Sequence, residues 1–325
     1  MTAPATPAAH NYMTIHVRPL VESDLDEADR IMRRAFGTFI GLTDPMAMWG
    51  DGEYAHSRWR SDPEGALAAE HDGRLAGSNF AVRWGSLAYF GPLSVRPELW
   101  DQKVGQHLVE ATMAMFERWG VRHRGLYTFA QSPKHIALYQ RYGFWPRFLS
   151  AVMQKEIAPR QYQVEYEKFS ALSTSAKAET VAACRELTDS FFDGLDLRRE
   201  IEAADRLRLG ETILARRGSK VAWFAVTHIG RATEAGSGVC FIKFAAARPG
   251  ARAGRDFDQM LDACESLALD AGAHQVRASV NFAREQAYGK VAARGFRAER
   301  IGVVMQSPNE PAYNRPGNYI LDDWR

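Results

Sequence analysis

The chain has 325 residues, 25% of them charged, with 41 Lys and Arg against 39 Asp and Glu and a formal net charge of +2. That balance excludes the one-sided basic excess of a dedicated nucleic-acid binder, and no apolar run approaches the roughly 20 residues that span a bilayer. With no charged-then-apolar leader, a cytoplasmic protein is expected, with neither nucleic-acid nor membrane partners.

The length suits two domains with sizeable cores. Cys184, Cys240 and Cys264 lack metal-ligand spacing, and the histidines form no HExxH or paired arrangement. Buried thiols and no bound metal are therefore expected.

In chain order, residues 1–12 are Pro- and Ala-rich and are expected to form a disordered tail. A strand over Thr14 to Leu20 follows, then a helix after Ser23 whose Leu25, Ala28, Ile31, Met32, Ala35 and Phe36 share one face. Residues 37–63 mix aromatic and acidic side chains without repetition, the kind of segment that covers a binding site. Leu67 to Glu70, a turn at His71-Asp72-Gly73, and Ala76 to Trp84 predict a hairpin.

Gly91 to Val95 is a short apolar strand that Pro97, without an amide proton, brings to an end. From Asp101 a helical pattern runs with Val104, Leu108, Ala111, Met115 and Trp119 on one face and Gly105 in the first turn. Unpaired amides at a helix start carry partial positive charge, and a glycine there lets an anion approach the backbone. Gly125 to Phe129 predicts another strand, and Ser132-Pro133-Lys134 a helix start with Ser132 as N-cap and Tyr139 two turns in. Two strands, Trp145 to Ser150 and Ala151 to Glu156, are expected to close the unit.

After Pro159 the plan restarts. Phe169 opens a strand, Glu179 to Phe192 and Arg199 to Gly210 are helical, and Lys220 to His228 is a strand before a Gly-rich loop at 230–238. A strand at Gly238 to Arg248, a helix with Phe257, Leu261, Cys264 and Leu267, a strand at Val276 to Val280 and a helix at Ala283 to Ala293 complete the second copy. The repeat period is about 150 residues, one domain's length.

Val95, Pro97, Val104-Gly105 and Leu108, followed by Ser132, Lys134, Ile136, Leu138, Tyr139, Gly143 and Phe144, resemble motifs A and B of the GNAT acyl-coenzyme A transferases. The resemblance implies an α/β fold of two tandem GNAT-like domains, each a mixed, mostly antiparallel twisted sheet flanked by helices. The domains would cover 13–158 and 159–306, with 307–325 a C-terminal tail. It further implies acetyl-CoA as acyl donor. The pantetheine arm would lie along Leu93, Ser94 and Val95, and the pyrophosphate on the amides of Gln102, Lys103, Val104, Gly105, Gln106 and His107. Ser132 stands in a common Asn position of the cofactor site, and Tyr139 would protonate the departing thiolate.

Several positions depart from the family pattern. Trp100 stands where Gln or Arg is usual and Lys103 where the first Gly is usual; the first-motif strand has Phe90, Gly91, Leu93 and Ser94 with no Glu to serve as base. An amine of pKa ~10.4 is neutral in only about one molecule in 2,500 at pH 7, a handicap of ~4.6 kcal/mol, so a base is wanted. Asp44, Asp51, Glu53 and His56 are the candidates, and the acidic three, near Trp49, Tyr54 and Trp59, would suit a cationic acceptor. In the second copy Arg252 keeps the Gln/Arg position, but Arg255 and Phe257 replace the glycines and Val291 replaces the Tyr, with Tyr288 one turn earlier.

The leading expectation is an N-acyltransferase acting on an unidentified small-molecule or protein amine from its first domain. The alternative is a non-catalytic acyl-CoA-binding sensor or scaffold; a third is an active second domain using Arg252 and Tyr288. A homodimer is compatible with either of the first two.

Overall fold

The computed structural model describes residues 14–159 and 161–325, so the expected disordered tail at 1–12 lies outside the described residues. The first half contributes β1 (His16–Pro19), β2 (Ala66–His71), β3 (Arg74–Trp84), β4 (Leu87–Val95) and β5 (His123–Thr128). Strand alternation sorts its side chains onto two faces. Ala66 and Ala68 of β2 pack with Leu25, Ile31 and Met32 of α1 (Leu25–Phe39) and with Ala55 of α2 (Ala55–Ser61). Leu67 and Ala69 face the other way, toward Leu108, Met115 and Phe116 of α3 (Val104–Arg118) and Tyr139 of α4 (Pro133–Gln140).

The next strand departs from expectation. Trp145 to Glu156 is one strand, β6, and it does not close its own half. Neither Ser150 nor Ala151 supplies the positive-φ turn a hairpin needs, so the chain runs straight on. It carries into β7 (Glu167–Lys168), α5 (Thr174–Asp189), α6 (Arg198–Arg206), β8 (Thr212–Arg217), β9 (Lys220–Gly230), β10 (Gly236–Ala247), α7 (Ala253–Asp270), β11 (Gln275–Asn281), α8 (Glu285–Ala293), β12 (Arg297–Ser307) and β13 (Ile320–Asp322). Phe169 begins a 3-10 turn rather than a strand, and β8 had no counterpart in the sequence reading.

All the strands join one mixed, mostly antiparallel twisted sheet in the order β1-β2-β3-β4-β5-β12-β6-β11-β10-β9-β8-β7, with β13 on β10. The halves exchange their last strands: β6 pairs with β11 and β12, and β12 pairs with β5. In each half one pair is parallel, β4 with β5 and β10 with β11, and each of these pairs forks at one end.

Residues 307–325 are built into the sheet rather than trailing from it. Ile320, Leu321 and Asp322 pair with Ala246, Ala245 and Phe244, and the Asp323 amide donates to the Lys243 carbonyl at 3.2 Å. This strand starts just past Ile242 and Ala278, where β10 and β11 part, and so occupies the second fork. Trp324 then crosses to the first half and stacks on Tyr89 at 6.0 Å. A Cβ on Gly125 would overlap that indole, so this position needs glycine for close approach rather than for its backbone angles.

A buried ion cluster also joins the halves. Glu234, in the β9–β10 turn, accepts from Arg58 Nε and Nη2 at 3.0 and 3.1 Å and from Lys243 Nζ at 2.9 and 3.2 Å. Arg58 spends its remaining nitrogen on the Gly91 carbonyl of β4. All three charged side chains are 5% exposed or less. Of the Gly-rich segment expected as a loop at 230–238 only 231–235 is a turn, Gly230 ending β9 and Gly236 opening β10, and that turn carries the buried carboxylate.

Candidate active site

β4 and β5 pair in register from Leu87 with His123 to Phe90 with Leu126, and then separate. The fork opens a cavity of about 360 Å³ that reaches both faces of the sheet. On one face its walls are the start of α3 and one side of α4; on the other they are Phe36, Phe39, Trp49 and Tyr54. Leu93, Ser94 and Val95 line it, hydrogen-bonded to β3 on one edge only, so the edge facing the fork is open to an extended ligand. The Trp100 indole takes up one acceptor there, donating to the Val95 carbonyl at 2.9 Å. Ser94 Oγ points away and meets Ser78 Oγ at 3.3 Å.

The α3 start is a tight turn with two non-glycine residues in left-handed conformation, Asp101 at φ 65° and Lys103 at φ 64°. Lys103 thus takes the backbone angle that a glycine would hold at no cost, and its exposed side chain has no ion-pair partner among the described residues. Among the expected phosphate-binding amides, Gln102 donates to Leu99 at 3.4 Å, Gln106 to Lys103 at 2.9 Å and His107 to Lys103 at 3.3 Å. The amides of Lys103, Val104 and Gly105 have no backbone acceptor among the described residues. Val104's side chain lies in the core, while Gly105 and Gln106 line the cavity. Ser132 is the N-cap of α4, accepting from the His135 amide at 3.4 Å, and does not line the cavity.

Tyr139 lines the cavity beside Phe90, ring centroids 5.8 Å apart, and is 8% exposed. Burial alone pushes its pKa well above the usual phenol value. His135, one turn earlier on the same helix face, lines the same space against Phe39 at 4.9 Å. Its Nδ1 is sealed without a partner, which leaves Nε2 as the open nitrogen. Burial, then the neighbouring Lys134, lower its pKa from 6.5, so the ring is neutral at pH 7.

None of the expected bases lines the cavity. Asp44 caps the Met46 amide at 3.0 Å, Asp51 accepts from the Ser237 amide at 2.9 Å and from its hydroxyl, and His56 lies 3.1 Å from Asp26. The charged side chains that do line it are Asp101, which pairs with Lys134, together with Lys103, Lys134, Arg300 and Arg325. That field disfavours a polycation, contrary to the expectation from the acidic 37–63 segment. His135 was detectable as the i−4 neighbour of Tyr139; Arg300 and Arg325 had no local signal and arrive through β12 and the end of the chain.

In the second half Phe257 is fully buried against Tyr319, centroids 5.4 Å apart, and Val291 is fully buried. Arg252 lies 3.9 Å from Asp256, which Arg217 grips at 2.7 and 2.8 Å, and Tyr288 packs on Phe282 at 4.7 Å. β13 occupies the fork that Arg252 and Tyr288 would have to serve. Among the described residues no His, Cys, Asp and Glu group could hold a metal ion, no helix is long and apolar enough to cross a membrane, and the three cysteines are buried and unpaired.

The family described as acetyltransferase (GNAT) matches residues 29–144. No curated protein matches the sequence. Among solved structures, a putative acetyltransferase from Pyrococcus horikoshii aligns with a TM-score of 0.67 at 13% identity, covering 95% of each chain. A GCN5-related N-acetyltransferase from Sphaerobacter thermophilus aligns at 0.60 and 15% identity, over 90% of this chain and 95% of that one. A tandem GNAT protein from the clavulanic acid biosynthesis pathway aligns at 0.54 and 12% identity, over 90% of this chain and 98% of that one. The family match covers residues 29–144, and over nearly its whole length the chain has the fold of these solved acetyltransferases, one of them a tandem GNAT protein.

Proposed function

We propose that the protein is an acyl-CoA-dependent N-acyltransferase, with acetyl-CoA the donor and the β4–β5 fork the site. One observation carries this reading: the β4 edge at Leu93–Val95, the unengaged amides of Lys103 and Gly105, and Tyr139 all border the same cavity. An acyl thioester bound there supplies the activated carbonyl. Each amide contact to its diphosphate contributes roughly 1.5–3 kcal/mol, and Lys103 adds a cation beside them. Backbone amides along Leu93–Val95 hold the developing oxyanion.

Tyr139 gives the proton that the leaving thiolate needs. Between exposed groups this transfer is uphill by about 1.5 pKa units, or ~2 kcal/mol. Burial raises thiols as it raises phenols, as the Cys240 thiol, pushed up to about 12, illustrates elsewhere in the chain. The gap stays near that value when the leaving thiolate is desolvated to the same extent as the phenol. His135, neutral with Nε2 open, takes the proton from the attacking amine.

Calorimetry with acetyl-CoA on the wild type and on Gly105→Trp tests the placement. A Cβ at Gly105 would sit 3.7 Å from Leu93 and 4.0 Å from Leu138, so an indole there fills the cavity mouth. Binding to the wild type and its loss in the variant are expected; equal binding to both rejects the site. The non-catalytic reading, favoured by the lack of an unpaired carboxylate in the cavity, predicts binding without thiol release across an amine panel.

A further inference from the structure

On the α1–α2 side of the cavity, four polar side chains converge with hydrogen-bonding capacity left over among the described residues. Tyr54 is 2% exposed and its hydroxyl has no partner. The Tyr127 hydroxyl is buried and equally unpartnered. Arg325 donates from Nε to Asp323 at 2.6 Å, while its Nη2 is buried without an acceptor. Arg300, half-buried on β12, makes no ion pair among the described residues. All four line the cavity. Arg325 is electrostatically coupled to both phenols, and Arg300 to Tyr127.

The nearby side-chain carboxylates are already committed. Glu234 is held by Arg58 and Lys243, and Asp323 by Arg325 and Ser279. Four cationic side chains thus face two carboxylates. A buried donor left unmade costs about 1–3 kcal/mol, so several at one spot mark a place built for an acceptor that arrives with the ligand. Guanidinium and phenol groups together match a carboxylate, which receives parallel N–H and O–H bonds. Above it the wall is aromatic, with Phe36, Trp49 and Phe129 linked by contacts of 5.1 and 6.1 Å.

We infer that the acceptor is an amino carboxylic acid with an apolar body, its carboxylate held by Arg300, Arg325, Tyr54 and Tyr127. The inference rests on the transferase reading for the word acceptor, but the carboxylate site can be tested without turnover. N-acetyl-L-phenylalanine and N-acetyl-L-leucine, each against its neutral amide, are titrated into the full-length protein by calorimetry. The acids are expected to bind at least about tenfold more tightly than the amides. Arg300→Ala should erase that preference, Arg300→Lys retain part of it, and Tyr54→Phe with Tyr127→Phe weaken it. The two Phe changes remove only oxygens that bond nothing in the fold, so intact thermal unfolding is expected. Acid and amide binding alike, binding of neither, or an unchanged preference in Arg300→Ala overturns the inference. Acid binding, with no thiol released from acetyl-CoA when free L-phenylalanine or L-leucine is supplied, would instead count against the transferase reading and leave the carboxylate site standing.

Discussion

The two forks of the sheet solve one problem in opposite ways. Where parallel strands part, each exposes a row of backbone groups that must find partners. At β10–β11 the chain supplies them itself, through β13, and the surroundings are sealed by Phe257 and Val291. At β4–β5 no strand among the described residues fills the gap, Gly105 and Tyr139 stand in the corresponding places, and a cavity remains. The strand that plugs the second fork also delivers Trp324 and Arg325 to the wall of the first. The second half therefore lines the same cavity, through Arg300 and Arg325.

The strongest way to break the comparison is to cut that tie. Glu234→Ala strands Arg58 and Lys243 as buried cations and releases the Gly91 carbonyl contact, so a loss of about 3–5 kcal/mol is expected in denaturant unfolding. Asp258→Ala, at the half-exposed pair with Lys290, should cost under about 1 kcal/mol. A loss at Glu234 no larger than that would mean the halves do not depend on the cluster.

Catalysis offers the next contrast. Tyr139→Phe should slow turnover by up to about 10²-fold with acetyl-CoA affinity unchanged, whereas Tyr288→Phe should leave both intact. Equal effects would remove the asymmetry between the forks.

The third concerns pH. Because burial and Lys134 hold His135 below 6.5, kcat/KM should rise through an acid limb lying under pH 6.5, and Lys134→Met should move that limb upward. Lys134 pairs with Asp101, and Tyr139 is the other titratable group on that helix face. The same lowered pKa means the folded state loses stability as pH falls below the unfolded value toward the folded one. An acid limb untouched by both Lys134→Met and His135→Asn would exclude His135 as base.

The smallest effect is expected at Lys103→Gly. Relieving a left-handed lysine should raise stability by about 1 kcal/mol, while acetyl-CoA affinity falls a few-fold at low salt and little at high salt. Unchanged affinity at low salt would make Lys103 a solvated bystander.

What the sequence determined by itself were the features encoded locally. The apolar faces of α1 and α3, the β2–β3 hairpin around Asp72-Gly73 and the Ser132 cap all depend on neighbours within a few residues, where periodicity and turn chemistry act. The repeat, and the register of Tyr139 before Gly143 and Phe144, were legible for the same reason. Tertiary structure alone decided which strands pair across the halves, because β6 and β12 are equally good partners for either half by local pattern. It also decided that 307–325 is a plug, that Glu234 in a Gly-rich turn is a buried counter-ion, and that Arg300 and Arg325 meet Tyr54 and Tyr127. Those contacts join residues up to 271 positions apart, such as Tyr54 and Arg325, and no spacing rule reaches that far.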